Sequence, residues 1–126
     1  MTVDHPHAPP VSTMVELLRW RATHQADRVG YTYLRDGETD ADDLTYADLD
    51  RHVRAVAAWL QQRAGEGDRV LMMFEEGHDY LHALYGCMYA KVLAVPVHPP
   101  DPARLHRTLP RLKNIAADAG VRFVLT

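Results

Sequence analysis

From residue 68 onward the chain alternates two kinds of segment, and this alternation limits what it can fold into more than any other feature. "DRVLMMF" (68–74) and "VLAVPV" (92–97) are near-continuous apolar runs, the pattern of strands covered on both faces. "HDYLHALYGCMYA" (78–90) between them has helical length. "PARLHRTLPRLKNIAADAG" (102–120) is expected as a second helix interrupted at Pro110, and "VRFVLT" (121–126) as a third strand. Strand, helix, strand, helix, strand with short links is what right-handed crossovers onto a parallel sheet produce, so the fold class is α/β with a βαβαβ unit.

The preceding residues add a helix and a hairpin. Thr13 can cap a helix through its hydroxyl while Glu16 reaches back to the cap's N–H, and Val15, Leu18 and Ala22 then share one apolar face. Tyr31 and Tyr33 alternate with Gly30, Thr32 and Leu34, and Asp36-Gly37 is a hairpin signal, because Gly tolerates positive φ. Two short antiparallel strands follow from that. Thr45, with Asp48 three residues on, starts a further helix whose buried stripe is Leu49, Val53, Val56, Ala57 and Leu60, with Gly65 as its left-handed cap. Residues 1–11 read as a loose leader. The strand at Thr126 reads as a cut, since α/β ligand sites usually need loops beyond the strand ends that this chain largely lacks.

A length of 126 residues fits one domain with a real core. A net charge of −3 supplies no basic field for a phosphate backbone, so nucleic acid is not the expected partner. Cys87 is the single cysteine, which suits a reducing compartment. The N-terminus has no secretory pattern and no apolar stretch reaches the ~18 residues of a membrane span, which points to the cytoplasm.

His78-Asp79-x-x-His82 lies one methylene from a zinc-hydrolase motif. On a helix both histidines could reach one metal, with the acid as base. The shorter acid and the lack of a third ligand favour a surface or packing role, and no metal ligand is assigned. His5, His7, His24, His52, His98 and His106 are scattered without ligand spacing, and Cys87, mid-helix among apolar residues, reads as an inert core thiol. No glycine-rich phosphate loop is present. Asp40, Asp42 and Asp43 read as a solvated edge, and Trp20, Trp59, Tyr80, Tyr85 and Tyr89 as core and helix-contact aromatics. "AVPVHPPDP" is a stiff connector leaving the carboxyl end of a strand, where α/β proteins place their sites.

"LTYADLD" (44–50) resembles the first core motif of the adenylate-forming superfamily, and "GHDYLHALYGCMYAKVLAVPVHPPDP" (77–102) resembles the second in its fatty acyl-AMP ligase form. "MVELLRWRATHQADRVGYTYL" (14–34) and "RLKNIAADAGVRFVLT" (111–126) are similar to the same family in the same order, so the resemblance runs from about residue 12. One departure is Lys91, where the family pattern carries Gly. A long charged side chain there either changes how the next strand begins or snorkels to solvent.

The resemblance implies residues 12–126 as the first part of a ligase's large N-terminal domain. The whole enzyme would use ATP and Mg²⁺ to turn a fatty acid into acyl-adenylate and pyrophosphate, then pass the acyl group to the phosphopantetheine thiol of an acyl carrier protein. It places the phosphate loop, ribose-binding acid, hinge and catalytic lysine downstream, so no catalytic residue is assigned and the fragment alone is expected to be inactive and without a cofactor. His98, Pro99 and Pro100 are the substrate-proximal candidates. An acyl-CoA synthetase fragment and a non-catalytic interaction module remain alternatives. An unfinished parallel sheet also favours self-association.

Overall fold

The computed structural model describes residues 9–126, so most of the leader lies outside it. Helix α1 spans Met14–His24, with Thr13 Oγ1 accepting the Glu16 N–H at 3.1 Å. Glu16 reaches back one residue further than expected, its carboxylate accepting from the Ser12 N–H at 2.8 Å.

Strand β1 (Val29–Leu34) pairs antiparallel with β2 (Ala41–Thr45). The link between them is a six-residue loop rather than a two-residue turn. Asp36 Oδ1 accepts the N–H groups of Glu38, Thr39 and Asp40 at 2.8–2.9 Å, and Gly37 takes φ 77°. Those backbone donors, Asp40 foremost, hold the Asp36 carboxyl well below the usual carboxylate range. The acidic edge is partly paired: Arg35 meets Asp40 at 3.3 Å and Asp42 at 3.0 Å, and Thr32 donates to Asp43.

Helix α2 (Tyr46–Gln61) starts at Thr45, whose hydroxyl accepts the Asp48 N–H. Its face of Leu49, Val53, Ala57 and Leu60 is buried. The helix does not end on a left-handed Gly65. Gln62 caps it in right-handed geometry, the Gly65 N–H is taken by Asp68 Oδ2 at 2.8 Å, and the positive φ falls on Gly67.

Strand β3 (Arg69–Met73), helix α3 (His78–Ala90), strand β4 (Leu93–Val97), a 3₁₀ turn (Pro102–Arg104), helix α4 (Leu105–Ala119) and strand β5 (Phe123–Leu125) complete the chain. Pro110 lies inside α4 without breaking it. The proline removes one donor on an exposed stretch, where water can serve the carbonyl of His106. The parallel sheet has the order β4-β3-β5 and buries Val70, Leu71 and Met72 of its central strand.

One core joins Ala57, Leu60, Val70, Cys87, Ala90 and Val92. A second joins Leu18, Leu44, Leu49, Val53 and Tyr85 beneath the hairpin. Trp59 belongs to neither core. It is 42% exposed, with the Arg63 guanidinium 4.0 Å above its ring and Phe123 edge-on at 5.8 Å. Among the described residues no helix is long and apolar enough to cross a membrane.

The strand order locates the site. The chain steps from β3 to its neighbour β4, then back across β3 to β5. With right-handed crossovers this reversal carries α3 and α4 to opposite faces and parts the loops after β3 and β4 at their carboxyl ends.

Candidate functional site

A cleft of about 940 Å³ opens at that parting. One wall is the loop from Phe74 to Gly77 after β3, the opposite wall is the proline strap from Pro96 to Pro102, and Tyr31 and Tyr33 of β1 close the side. Pro96, Pro99, Pro100 and Pro102 hold the strap extended with few N–H donors, so this wall is stiff and mostly apolar. His98, Pro99 and Pro100 all line the cleft, and His98 is exposed.

Helix α3 begins at the cleft's base without a side-chain cap, its N-cap Gly77 holding φ 134°. His78 on its first turn is fixed by a 2.7 Å hydrogen bond between Nε2 and the Asp42 carbonyl, with the Tyr33 ring edge-on at 6.3 Å. One turn on, His82 Nδ1 lies 3.7 Å from Asp79 Oδ1 and its ring meets His52 edge-on at 4.5 Å. The two motif histidines therefore share a helix face but have separate partners, their rings 6.5 Å apart. No group of three or more His, Cys, Asp or Glu side chains among the described residues is arranged to hold a metal.

Burial, reinforced by the neighbouring His52, lowers the pKa of His82, and its Nε2 is buried without a hydrogen-bond partner. Cys87 is fully buried and its thiol is pushed up to about 11, so it is no nucleophile at neutral pH. Tyr85 is raised by burial first and then by its bond to Tyr31, which keeps the phenol protonated. The cleft thus offers shape, aromatic surface and a rigid strap, with Glu75 and Glu76 on its rim, and no assembled acid, base and nucleophile.

The proline strap was legible as a candidate from its composition. Tyr31, Tyr33 and the loop from Phe74 to Gly77 were not, since only the docking of the hairpin against α3 brings them to the same cleft. The position of that loop after an apolar strand was the one local signal available for it.

A family described as AMP-binding enzyme matches residues 18–126. A medium-chain-fatty-acid–acyl-carrier-protein ligase of Moorena producens is 42% identical over 118 residues, 94% of this chain and 20% of that protein. Disco-interacting protein 2 of Drosophila melanogaster is 37% identical over 101 residues, 79% of this chain and 6% of that protein. Among solved structures, the fatty acyl-adenylate ligase of Legionella pneumophila in complex with acyl adenylate and pyrophosphate superposes with a TM-score of 0.79 at 35% identity. That match covers 87% of this chain and 19% of the ligase. The chain spans about a fifth of the length of the two ligases it matches.

Proposed function

We propose that this chain, which belongs to the AMP-binding enzyme family, is the first part of the N-terminal domain of a fatty acyl-AMP ligase, preceded by a leader of residues 1–11. The whole protein would activate a fatty acid with ATP, assisted by Mg²⁺, to acyl-adenylate, and transfer the acyl group to an acyl carrier protein in the cytoplasm. The observation that carries this reading is the 42% identity to an acyl-carrier-protein ligase over nearly the whole chain. The structural likeness to a ligase solved with acyl adenylate supports it.

The described residues do not fit the nucleotide or the metal. They present neither a glycine-rich phosphate cradle nor a metal cluster, so the segment's own part is scaffold. The proline strap at His98, Pro99 and Pro100 is its contribution to the substrate-facing wall. A stiff strap orients whatever lies along it, and holding reactants in a fixed geometry lowers the barrier to reaction.

Fatty-acid-dependent ATP–pyrophosphate exchange tests the reading, on this chain and on the protein read past Thr126. Exchange in the longer protein alone establishes an adenylating ligase with this segment as scaffold. No exchange with any acid, short or long, overturns it.

A second reading is a non-catalytic interaction module. Its support is the similarity to Disco-interacting protein 2, together with Leu93 on β4 and Val124 on β5, 52% and 42% exposed on outer strands that could pair with another chain. Under this reading the chain self-associates, and light scattering that finds a monomer at every concentration counts against it.

A further inference from the structure

Among the described residues, α1, α2 and α3 each bury part of one face, whereas α4, 15 residues long, buries no residue at all. Its sequence is nevertheless two-sided. At 3.6 residues per turn Leu105, Leu109, Leu112, Ile115, Ala116 and Ala119 fall within about 120° around the helix axis. Leu105 and Leu109 are exposed and the other four are only half-buried. Lys113 borders one edge of this stripe and Arg111 the other, with Arg107 behind it, and Asp118 is the single acid of the helix. Among the described residues Arg107, Arg111 and Lys113 form no ion pair. The C-terminal end of α4 is tied to β3, where Arg69 donates to the Ala119 carbonyl at 2.9 Å.

The surroundings of the helix have the same character. Residues 91–126 hold six of the fourteen Lys and Arg residues but two of the seventeen Asp and Glu residues, a local charge of +4 in a chain of net −3. Such an asymmetry along a chain points to an anionic partner for one part of it. The sheet adds apolar surface on the side of α4. Ala94, Phe123 and Leu125 pack into the core with Leu60, Val70 and Cys87. Side chains alternate along a strand, so Leu93 and Val124 point to the other face, and both are exposed.

We propose that α4 docks this chain on an anionic bilayer surface. The helix is not one that crosses a membrane. It lies along the interface, its leucines among the outer acyl chains and its cations at the lipid phosphates, as basic amphipathic helices do. An apolar stripe edged by unpaired cations matches a surface that is apolar beneath and negative above. A nucleic-acid backbone would meet the cations and leave the leucines in water. A second copy meeting this face symmetrically would cover the leucines but set two basic helices against each other. The proposal stands apart from the ligase reading. Under that reading it places the enzyme at the phase into which fatty acids partition.

The test is flotation of this chain with extruded vesicles of phosphatidylcholine alone and of phosphatidylcholine mixed in equal parts with phosphatidylglycerol. The anionic vesicles are expected to bind at least about tenfold tighter, because each exposed cation near such a surface adds attraction. Raising salt severalfold narrows the difference. Leu105→Ser with Leu109→Ser weakens binding to the anionic vesicles about tenfold, and Arg111→Gln with Lys113→Gln removes the preference for them. All four side chains are exposed, so far-UV circular dichroism should show an intact fold. A second measurement serves should the paired variants unfold. A polarity-sensitive fluorophore on Leu109→Cys shifts to the blue on anionic vesicles, whereas the same label on Asn114→Cys, about 140° away around the helix, does not. Cys87 is buried and stays unlabelled. Equal binding to both vesicles, no binding up to about 1 mM lipid, the same shift at both labels, or RNA binding as tightly as the anionic vesicles overturns the proposal. So does loss of the preference in the protein read past Thr126, which would mean that the longer chain covers α4. Pyrophosphate exchange needs no bilayer, so its outcome decides the ligase reading separately from this test.

Discussion

The phenol oxygens of Tyr31 and Tyr85 lie 2.6 Å apart, and this one hydrogen bond ties β1 to α3 across 54 positions of sequence. Tyr85 is buried and Tyr31 half-buried, so neither hydroxyl has easy access to water. Tyr85→Phe leaves the Tyr31 oxygen without its partner and is expected to cost about 1–2 kcal/mol, because an orphaned polar group loses more than the bond's net worth. Replacing both tyrosines by Phe removes donor and acceptor together and should recover most of that loss. Urea denaturation of the two single variants and the double variant checks it, and strictly additive costs would refute the coupling.

Helices α2 and α3 meet at Gly86. A Cβ added there would fall on Val56, against Cγ1 and 2.7 Å from Cβ. Gly86→Ala is expected to destabilise by about 1–3 kcal/mol through overpacking, although Ala in a helix is otherwise favoured over Gly by about 1 kcal/mol. Adding Val56→Ala makes room and should recover part of the loss, measured by the denaturation midpoint. A Gly86→Ala variant as stable as the parent would mean the helices can part freely.

Lys91 is the one non-glycine residue with positive φ among the described residues, at φ 58° and ψ 35°. It caps α3. Its N–H bonds to the Met88 carbonyl, the Val92 N–H bonds to the Cys87 carbonyl, and its own carbonyl accepts from Gly67. This is the position where helix ends favour Gly, which gives a backbone reason for the Gly that the family resemblance led us to expect. Lys91→Gly should stabilise by about 1 kcal/mol by removing the left-handed Cβ clash, whereas Lys91→Ala should change little. A loss of stability in Lys91→Gly would show that the lysine stem contributes packing that outweighs the strain.

The parts of the fold written in local periodicity were legible. The caps at Thr13 and Thr45, the Leu49–Leu60 stripe and the three parallel strands each need only a few consecutive residues to show themselves, although of the strands expected to be buried only β3 is, Leu93 of β4 and Val124 of β5 being exposed on the outer strands. What was misread depends on distant partners. Gly65 gave up the cap because Asp68 claimed its N–H, Trp59 lies 42% exposed against Arg63 and Phe123 rather than in either core, and Pro110 was tolerated because its stretch of α4 faces water. The cleft was half legible. Proline composition marks the strap, but the tyrosines opposite come from β1, and no local pattern says where a hairpin will dock.

Cys87 should be silent to alkylation while the chain is folded. With its thiol pushed up to about 11, the thiolate is about one part in a thousand at pH 8, and full burial blocks access to it. Iodoacetamide modification followed by mass spectrometry should be complete in urea and negligible in native buffer over the same interval. Rapid native labelling would mean that α3 opens locally from the sheet.

Acid should weaken the fold through His82. Its folded pKa is lowered from the ordinary 6.5 by burial first and then by His52, with Asp79 opposing and His78 adding to the shift. Below pH 6.5 the unfolded chain takes up a proton that the folded chain resists, so the unfolded state binds more protons and stability rises with pH through this window. The contribution is fully present above 6.5 and is lost as pH falls toward the folded value. The orphaned Nε2 gives the same sign, since protonation would place a second N–H donor in a pocket with no acceptor for it. Denaturation midpoints measured from pH 7.5 down to pH 5 should fall, and His82→Leu should fall less steeply over the same range. Equal slopes in the two proteins would assign the acid sensitivity to groups other than His82.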